Sequence, residues 1–488
     1  MQLNYLANLS HYVPELIVCL TMVMTMIVEA TYENGEKSKP LMYWCSIVGL
    51  FCAFVVLCLS LNQPPTTAFF NAVVIDPFST LMKIIMVLGT LGAIWLSHSS
   101  NDIYNPVKPE FIMLGLGVLV GGMLLASANN MLTLYLGIET LSILSYALAS
   151  LRKNDERSSE AGLKYSLYGG ISAGLMLFGM SHMFGVLGTI QFNGMAQNIA
   201  NLTQNEILIL IPSFLLFFVG IGYKIACVPF HMWSPDVYEG SPLPVTAFFS
   251  IVPKMAGIAV LLRITISFFS NDGVMQYSWL GLLQVIAALT MTVGNISAIN
   301  QRSIKRMLAF SSIGHAGFMM LGAIVLGVDG VRSVLFYGIG YMFMTLAAFA
   351  ITSFIQNKYG NDHFERFSGL IYRKPMMAIA MTIIMFSLAG IPPFSGFVAK
   401  FHILSAIIKQ GYMTLAIIAA INSVISLYYY LKVVRLMVFK EKEDDGEIIG
   451  FSFVNQSVIV MLVIPVVVLG LFWAKIMAVA DGAKLFIQ

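Results

Sequence analysis

Four ionisable side chains lie deep inside apolar stretches of the sequence: Glu139, Lys224, Lys254 and Lys400. A lysine at membrane depth costs about 2.5–3.5 kcal/mol on insertion scales, so it is rarely kept there for packing alone. Burial favours the neutral form of a lysine, whereas a nearby carboxylate favours the charged form. A Glu139–Lys224 pair is therefore predicted to hold or release a proton as the two groups approach or separate. Lys254 is the natural next acceptor, and Lys400 is the site nearest the opposite end of the path.

Three further groups are candidate relays between these sites: Lys164, His231 and His315. An imidazole titrates near pH 6.5 and can therefore pass protons on. His231 follows a proline in PFHMW, and His315 lies in the helical stretch SSIGHAGF, where a hydrogen bond between helices explains it equally well. Lys83 and Lys164 lie a turn or two from predicted helix ends, and from there a long side chain can also extend to the interface.

The composition places the chain in a membrane. Of its 488 residues 58% are hydrophobic and 10% are charged, and the mean hydropathy is +0.83, whereas soluble domains have about 45–50% apolar residues. The net charge of +3 forms no basic patch, which excludes a nucleic-acid-binding protein. The five cysteines form no CxxC pair and are predicted to be small core residues. No set of His, Cys, Asp and Glu has metal-ligand spacing, so no metal is predicted.

About 20 apolar residues span a bilayer, and this length predicts an all-α polytopic membrane protein with about 14 transmembrane helices. The predicted helices lie near residues 10–30, 41–62, 76–98, 110–128, 130–151, 159–187, 206–228, 242–268, 276–299, 303–327, 330–356, 376–406, 411–437 and 453–476. Most lysines and arginines of the connecting loops follow odd-numbered helices, whereas the loops after even-numbered helices hold Arg332 and Lys409. Because positive loops stay inside, both termini are predicted on the outer side.

Two of the predicted helices are interrupted near their centres, one by Pro229 and the other by Pro392 and Pro393. Each carries a lysine beside its break, and interrupted segments at corresponding places in two halves indicate an inverted repeat. Since five helices separate the breaks, the second five-helix copy is expected to be reversed in the membrane. The predicted units are 1–109 with helices 1–3, 110–268 as the first inverted repeat with helices 4–8, 276–437 as the second with helices 9–13, and 438–488 with a cytoplasmic loop and helix 14.

The chain contains no motif that would power transport. Moving one proton against a membrane potential requires about 2.3 kcal/mol per 100 mV. No P-loop, Rossmann glycine pattern or cluster-binding cysteine run is present. No bound cofactor is predicted, and the chain is expected to be a conduit that partner proteins or another ion gradient drive.

The stretch KIACVPFHMWSPDVYEGSPLPVTAFFSIVPK, with LGIE before it and SLAGIPPFSGFVAKF after it, resembles the proton-translocating, antiporter-like subunits of respiratory complex I. The resemblance extends over nearly the whole chain and is greatest to the subunit N branch, called subunit 2 in organelles. The chain ends soon after helix 14 without a long lateral helix, unlike subunit L. It also has Lys400 where subunit M carries a glutamate, and it lacks the PLHGW and PLQTWLPDA forms of M and L.

The resemblance implies a role for each of the four deep groups. Glu139 and Lys224 would form the Glu–Lys pair of the family. Lys254 would be its central lysine, and Lys400 the terminal site toward the outer side.

The same resemblance matches Lys164 to a helix-six lysine and His231 to a histidine of the central chain. It implies that FMN, iron–sulfur clusters and quinone are bound by other subunits and that this chain itself binds none of them. The implied partners are the neighbouring antiporter-like subunit M, the small subunit K, the peripheral redox arm and the lipid bilayer.

Two other functions are compatible with the same residues. One is an ion-transporting subunit of a multi-subunit Na⁺/H⁺ antiporter, which sodium-dependent proton exchange without NADH would favour. The other is a membrane scaffold in which the buried charges only pair helices. The first apolar run has no basic segment before it and no cleavage site after it, so it is predicted to be a retained helix. The predicted location is the bacterial inner (plasma) membrane, with an organelle inner membrane as the alternative.

Overall fold

The computed structural model describes residues 5–31, 38–269, 274–440 and 453–481, which are mainly helical. Part of the predicted cytoplasmic loop, residues 441–452, lies outside the described residues. The first ten helices are α1 (Tyr5–Ser10), α2 (Val13–Thr31), α3 (Ser38–Ser60), α4 (Pro77–Ser99), α5 (Lys108–Ala126), α6 (Met131–Ala149), α7 (Glu156–Leu187), α8 (Phe192–Ile199), α9 (Gln204–Ile225) and α10 (Trp233–Gly240). The other ten are α11 (Leu243–Phe269), α12 (Val274–Ile299), α13 (Ile304–Ile324), α14 (Val328–Tyr359), α15 (Leu370–Arg373), α16 (Pro375–Ala389), α17 (Ser395–Lys409), α18 (Met413–Phe439), α19 (Phe453–Leu471) and α20 (Trp473–Asp481).

A short hairpin that the sequence did not predict lies between α3 and α4. Strand β1 (Thr66–Ala68) pairs antiparallel with β2 (Val73–Ile75). The ring of Phe69 in the turn packs edge-on against Tyr12, with 5.6 Å between ring centroids. The hairpin therefore packs against the residues just before α2.

Twelve of the described helices are long and apolar enough to cross a membrane, and α19 with α20 makes a thirteenth if their 87° bend is counted within one span. The polytopic class is thus confirmed, but the predicted count of 14 is not met by these helices. The predicted span 376–406 is divided between α16 and α17. Each of these has 15 residues, fewer than the roughly 17–25 residues that cross a bilayer as a single helix.

Helix α11 is the centre of the bundle. Each of its residues from Leu243 to Phe269 is buried, and it packs against α4, α5, α9, α13 and α14. A helix that is apolar on all sides is stable only when other helices surround it. Small residues allow the close approach, because a Cβ added to Gly89 of α4 would lie only 2.7 Å from the Ile251 side chain. Any polar group on α11 is therefore held away from lipid.

Two helices are interrupted where the prolines predicted it. α9 ends at Ile225, and Ala226 takes a left-handed conformation with φ 61°. α16 ends at Ala389, and Gly390 takes a left-handed conformation with φ 90°. A proline has no backbone N–H and kinks or breaks an α-helix, and α10 and α17 begin as new helices after these breaks. Proline does not end every helix, because α9, α11 and α19 continue through Pro212, Pro253 and Pro465. A cis peptide bond precedes Pro229, and another precedes the second proline of the other break.

The cysteines are free thiols, and the prediction that all five are core residues is wrong. Cys227 is buried beside the first break, whereas Cys52 and Cys58 of α3 are exposed. α3 lies at the edge of the bundle with much of its apolar surface uncovered. In a membrane protein an exposed apolar face meets lipid, so a small apolar thiol is suited to either position.

Candidate functional site

Lys254 lies in the middle of the central helix. It is 1% exposed, and its Nζ donates a hydrogen bond to Ser312 Oγ at 2.6 Å. The same Nζ lies 5.7 Å from the centroid of the Tyr238 ring. Ser312 belongs to α13, so this contact joins the lysine of α11 to the helix that carries the candidate histidine.

His315 lies one turn further along α13 and is 4% exposed. Its Nδ1 is 2.6 Å from Tyr337 Oη and its Nε2 is 3.0 Å from Tyr430 Oη. A neutral imidazole donates through one nitrogen and accepts through the other, so His315 joins the two tyrosines into one hydrogen-bonded chain. Tyr430 also hydrogen-bonds to Ser311. The result is a polar cluster on α13, α14 and α18 that faces Lys254.

Lys400 lies just after the second break. Its Nζ donates to the backbone oxygen of Ala389 at 2.9 Å and to Ser423 Oγ at 3.2 Å. Ala389 is the last residue of α16, and the C-terminal end of a helix carries partial negative charge. The break therefore supplies the acceptor that a buried ammonium needs. The ring of Phe318, one turn beyond His315 on α13, lies 5.0 Å from the same Nζ.

Gly390 sets the position of Lys400. An added Cβ would lie 2.9 Å from Lys400 Cδ, and at φ 90° a side chain also costs roughly 1–2 kcal/mol of strain. We expect Gly390→Ala to displace the ammonium from Ala389 and to lower several-fold the proton transfer predicted for this lysine, measured as proton movement across sealed membrane vesicles. Gly411→Ala is the matched control, because Gly411 has φ 84° and nothing within 4 Å of an added Cβ. Equal losses in both variants would show that only backbone strain matters.

Lys224 lies in the last turn of α9, before the first break. It is fully buried, and within the described part of the chain its Nζ has no hydrogen-bond partner. The rings of Tyr165 and Tyr223 lie 5.6 and 5.8 Å from the Nζ. Such a lysine contributes nothing by polar contact to holding helices together.

Glu139 of α6 is half-buried, and its Oε1 is a buried acceptor without a partner. Within the described residues no contact of 4.0 Å or less joins Glu139 to Lys224, although their charges interact through space. The predicted Glu–Lys pair is therefore an electrostatic pair without contact in this structure. The reason is position: Glu139 lies toward the edge of the bundle, whereas Lys224 points into the core.

The two other predicted relays lie nearer the surface. Lys164 is 36% exposed and pairs with Glu160 and Asp236, each at 2.7 Å. With Arg306 these residues line a charged cavity of about 270 Å³. His231 lies half-buried in the segment of the first break, and its Nδ1 is buried without a partner. The structure thus places both beside α10 and apart from the cluster around His315.

Lys83 does not extend to the membrane interface, so the prediction that its long side chain can reach the interface is wrong. It is 2% exposed and its Nζ lies 2.6 Å from Glu15 Oε1 of α2. The Glu15 carboxylate stabilises the Lys83 ammonium inside the bundle, so the lysine does not need the polar membrane interface. Glu15 could be found in the sequence of the first apolar run. Which residue it pairs with depends on how α2 and α4 are placed in the folded bundle.

Sequence reasoning also missed Tyr337, Tyr430 and Ser423. Two of them belong to a polar stripe on α18, whose spacing of three to four residues was a usable signal: Asn422, Ser423, Ser426, Tyr429 and Tyr430. Tyrosine and serine are common in apolar helices and carry no charge, so they did not stand out as the lysines did.

Similar proteins of known family identify the family of this chain. Residues 128–426 match the family model described as NADH:quinone oxidoreductase/Mrp antiporter, TM. NADH-quinone oxidoreductase subunit N of Trichlorobacter lovleyi is 37% identical over 466 residues, covering 95% of this chain and 93% of that protein. A chain of respiratory complex I from Thermus thermophilus with bound aureothin has a TM-score of 0.81 at 27% identity, covering 96% of this chain and all of that one. A chain of the Mrp complex from Dietzia sp. has a TM-score of 0.83 at 21% identity, covering 97% of this chain and 96% of that one, a likeness of fold alone.

Proposed function

Because the chain belongs to the subunit N family of NADH-quinone oxidoreductases, we propose that its buried lysines form a proton path through the membrane arm of such an enzyme. The chain is an antiporter-like membrane subunit of this oxidoreductase class. One observation carries the proposal: Lys224, Lys254 and Lys400 are each at most 4% exposed and lie in one apolar core. Ionisable groups at that depth generally serve ion or proton transfer and not packing.

The proposed order of sites is Glu139, Lys224, Lys254, His315 and Lys400. A change in charge at Glu139 acts through space on Lys224, which has no hydrogen bond to hold its proton. Lys254 passes its proton toward His315 through the serines of α13, which lie within one turn of the histidine. Water at the two breaks would bridge the remaining gaps, since freed backbone carbonyls attract it.

Lys164 and His231 are proposed as relays between the charged cavity and Lys224. Lys164 holds Asp236 and Glu160 at the cavity wall, where protons can be gathered from water. His231 has a ring nitrogen free of hydrogen bonds at the break itself. A proton arriving at the cavity would reach the first break through these two groups.

The proposed architecture has fourteen spans and two inverted repeats. α16 and α17 would cross the membrane together as one broken span, and so would α19 and α20. The repeats would comprise residues 110–268 and 276–437, with 1–109 and 438–488 outside them. The support is the recurrence of one feature, a helix that ends in a left-handed residue followed by a proline and lies close to a buried lysine.

Energy and cofactors belong to the rest of the proposed assembly. FMN, iron–sulfur clusters and quinone would be held by other subunits, and quinone reduction there would drive the charge changes here. The proposed neighbours in the membrane are subunits M and K. Glu139 at the edge of the bundle is suited to receive a signal from such a neighbour, because a half-buried carboxylate can be reached from the adjoining chain.

The proposed location is the inner (plasma) membrane of a bacterium, with both termini on the outer side. The support for this orientation is the excess of lysine and arginine in the loops that follow odd-numbered predicted helices. Cysteine substitution at Lys409 and at Lys358, which lie on opposite predicted sides, would test it. We expect a membrane-impermeant maleimide to label the Lys409 position in intact spheroplasts and the Lys358 position only after disruption.

The experiment that tests the function is purification of the tagged chain from its native membrane in mild detergent. We expect it to co-purify with a complex that contains flavin and iron–sulfur absorbance and has inhibitor-sensitive NADH:quinone activity. A complex without redox centres that exchanges Na⁺ for H⁺ would contradict the proposal and assign the same lysines to a secondary antiporter.

A further inference from the structure

A second buried ionic site lies outside the residues that match the family model. Glu15 of α2 and Lys83 of α4 are 1% and 2% exposed, and their charged atoms are 2.6 Å apart. Both precede residue 128, where the family match begins, and both lie outside the proposed repeats. The transport path proposed above does not use them.

Another ion pair at the start of α4 shows what a structural pair looks like in this protein. Arg263 contacts both carboxylate oxygens of Asp76 at 3.1 Å and also donates to Ala126. Asp76 in turn caps α4 by accepting a hydrogen bond from the backbone N–H of Ser79. A guanidinium stays charged at all pH values that a protein experiences. Both carboxylate oxygens of Asp76 are thus held by hydrogen bonds, although Arg263 Nε has no partner among the described residues, and the guanidinium does not exchange a proton.

The Glu15–Lys83 pair differs on each of these points. Apart from the contact with Lys83, neither carboxylate oxygen of Glu15 has a hydrogen-bond partner among the residues that the structure describes, and both are buried. An ammonium and a carboxylate both titrate, unlike a guanidinium. The titratable neighbours on α2 and just before it, Tyr12 and Cys19, interact with Glu15 only through space. Glu15 Oε2 is thus a buried acceptor without a partner among the described residues, which is costly, and a proton on the carboxylate would remove its charge.

We propose that Glu15 and Lys83 form a further proton-exchange site of this chain. In the transfer, the Nζ–H bond of Lys83 breaks and an O–H bond forms at Glu15 Oε1. An amine and a carboxylic acid replace the ion pair, and the total charge is unchanged. The acid then exchanges its proton with water at the end of the bundle where α2 begins. Glu15 lies in the first turn of that helix.

The site is placed to influence the transport path. α4, which carries Lys83, packs directly against the central helix α11, and its Gly89 lets it approach Ile251 closely, one turn from Lys254. A change of charge at Lys83 on α4 therefore acts on α11, the helix that carries Lys254. This step rests on the proposed proton path.

The test compares Lys83→Arg with the double variant Glu15→Gln plus Lys83→Met in the assembled, purified complex. Arginine keeps the positive charge and the ion pair but does not release a proton, and the double variant removes both charges. We expect both to assemble, and both to oxidise NADH and pump protons several-fold more slowly per bound flavin. Lys400→Met is measured in parallel.

Wild-type turnover in either assembled variant would overturn the proposal and leave the pair as a fastener between helices. Failure of both variants to assemble would also overturn the proposal, because the pair would then be needed for folding. If Lys400→Met loses activity while the Lys83 variants keep it, only this inference fails. If Lys400→Met also keeps full activity, the proposed proton path fails with it.

Discussion

Lys224→Met is expected to assemble normally and to lose NADH:quinone turnover by about a hundredfold or more, the scale on which a proton-transfer group contributes to rate. The lysine is fully buried and its Nζ has no hydrogen bond. Methionine has a similar length and no charge, so the substitution removes a proton carrier and breaks no polar contact. Volume-conserving changes of this kind usually cost less than about 1.5 kcal/mol of stability. The measurement is turnover per flavin in purified complex.

This variant separates transport from the scaffold alternative. A scaffold needs charges that pair helices, and Lys224 makes no such pair among the described residues. Lys409→Met is the matched control, because that side chain is 66% exposed at the end of α17 and should leave turnover unchanged. A Lys224→Met complex with full turnover would remove this residue from the path.

His315→Gln is expected to lower turnover by about a hundredfold, within the usual contribution of a general acid–base group. Glutamine keeps one donor and one acceptor for Tyr337 and Tyr430 but cannot take up a proton. The hydrogen-bonded cluster should therefore persist while proton transfer through it stops. Turnover and the amount of assembled complex are measured together.

His402→Gln is the control for that substitution. His402 is half-buried beside Trp473, with 4.9 Å between ring centroids, and its ring contacts among the described residues are with Phe336, Phe401 and Trp473 and not with the cluster around His315. We expect its turnover to stay close to that of the wild type. If both histidine variants assembled and neither lost activity, the histidine step of the path would be wrong.

The depth of the lysines could be predicted from sequence because charge is rare in apolar helices. Lys224, Lys254 and Lys400 are all buried as expected. The breaks could be predicted too, since proline often breaks a helix, although Pro212 and Pro253 lie within continuous helices. The partners of the lysines could not. Ser312 contacts Lys254 across 58 residues of sequence, and such contacts depend on which helices pack together.

The predicted count of 14 spans is not reached by the described single helices, because the length rule does not apply to two pairs of them. α16 and α17 are each too short to span alone, and α19 turns by 87° into α20. The prediction that the Lys83 side chain can extend to the interface was wrong for a different reason. Its counter-charge lies on another helix, and a single charged residue in an apolar run does not reveal its partner. Periodicity describes one helix at a time, whereas these features arise from pairs of helices.

The most direct test of the proton path is NADH-driven acidification by purified complex in proteoliposomes, with Lys224→Met, Lys254→Met and Lys400→Met compared at equal flavin content. If the three lysines carry the proton, each variant assembles, and proton pumping and quinone reduction fall together. Assembled variants that pump protons at the wild-type rate would contradict it.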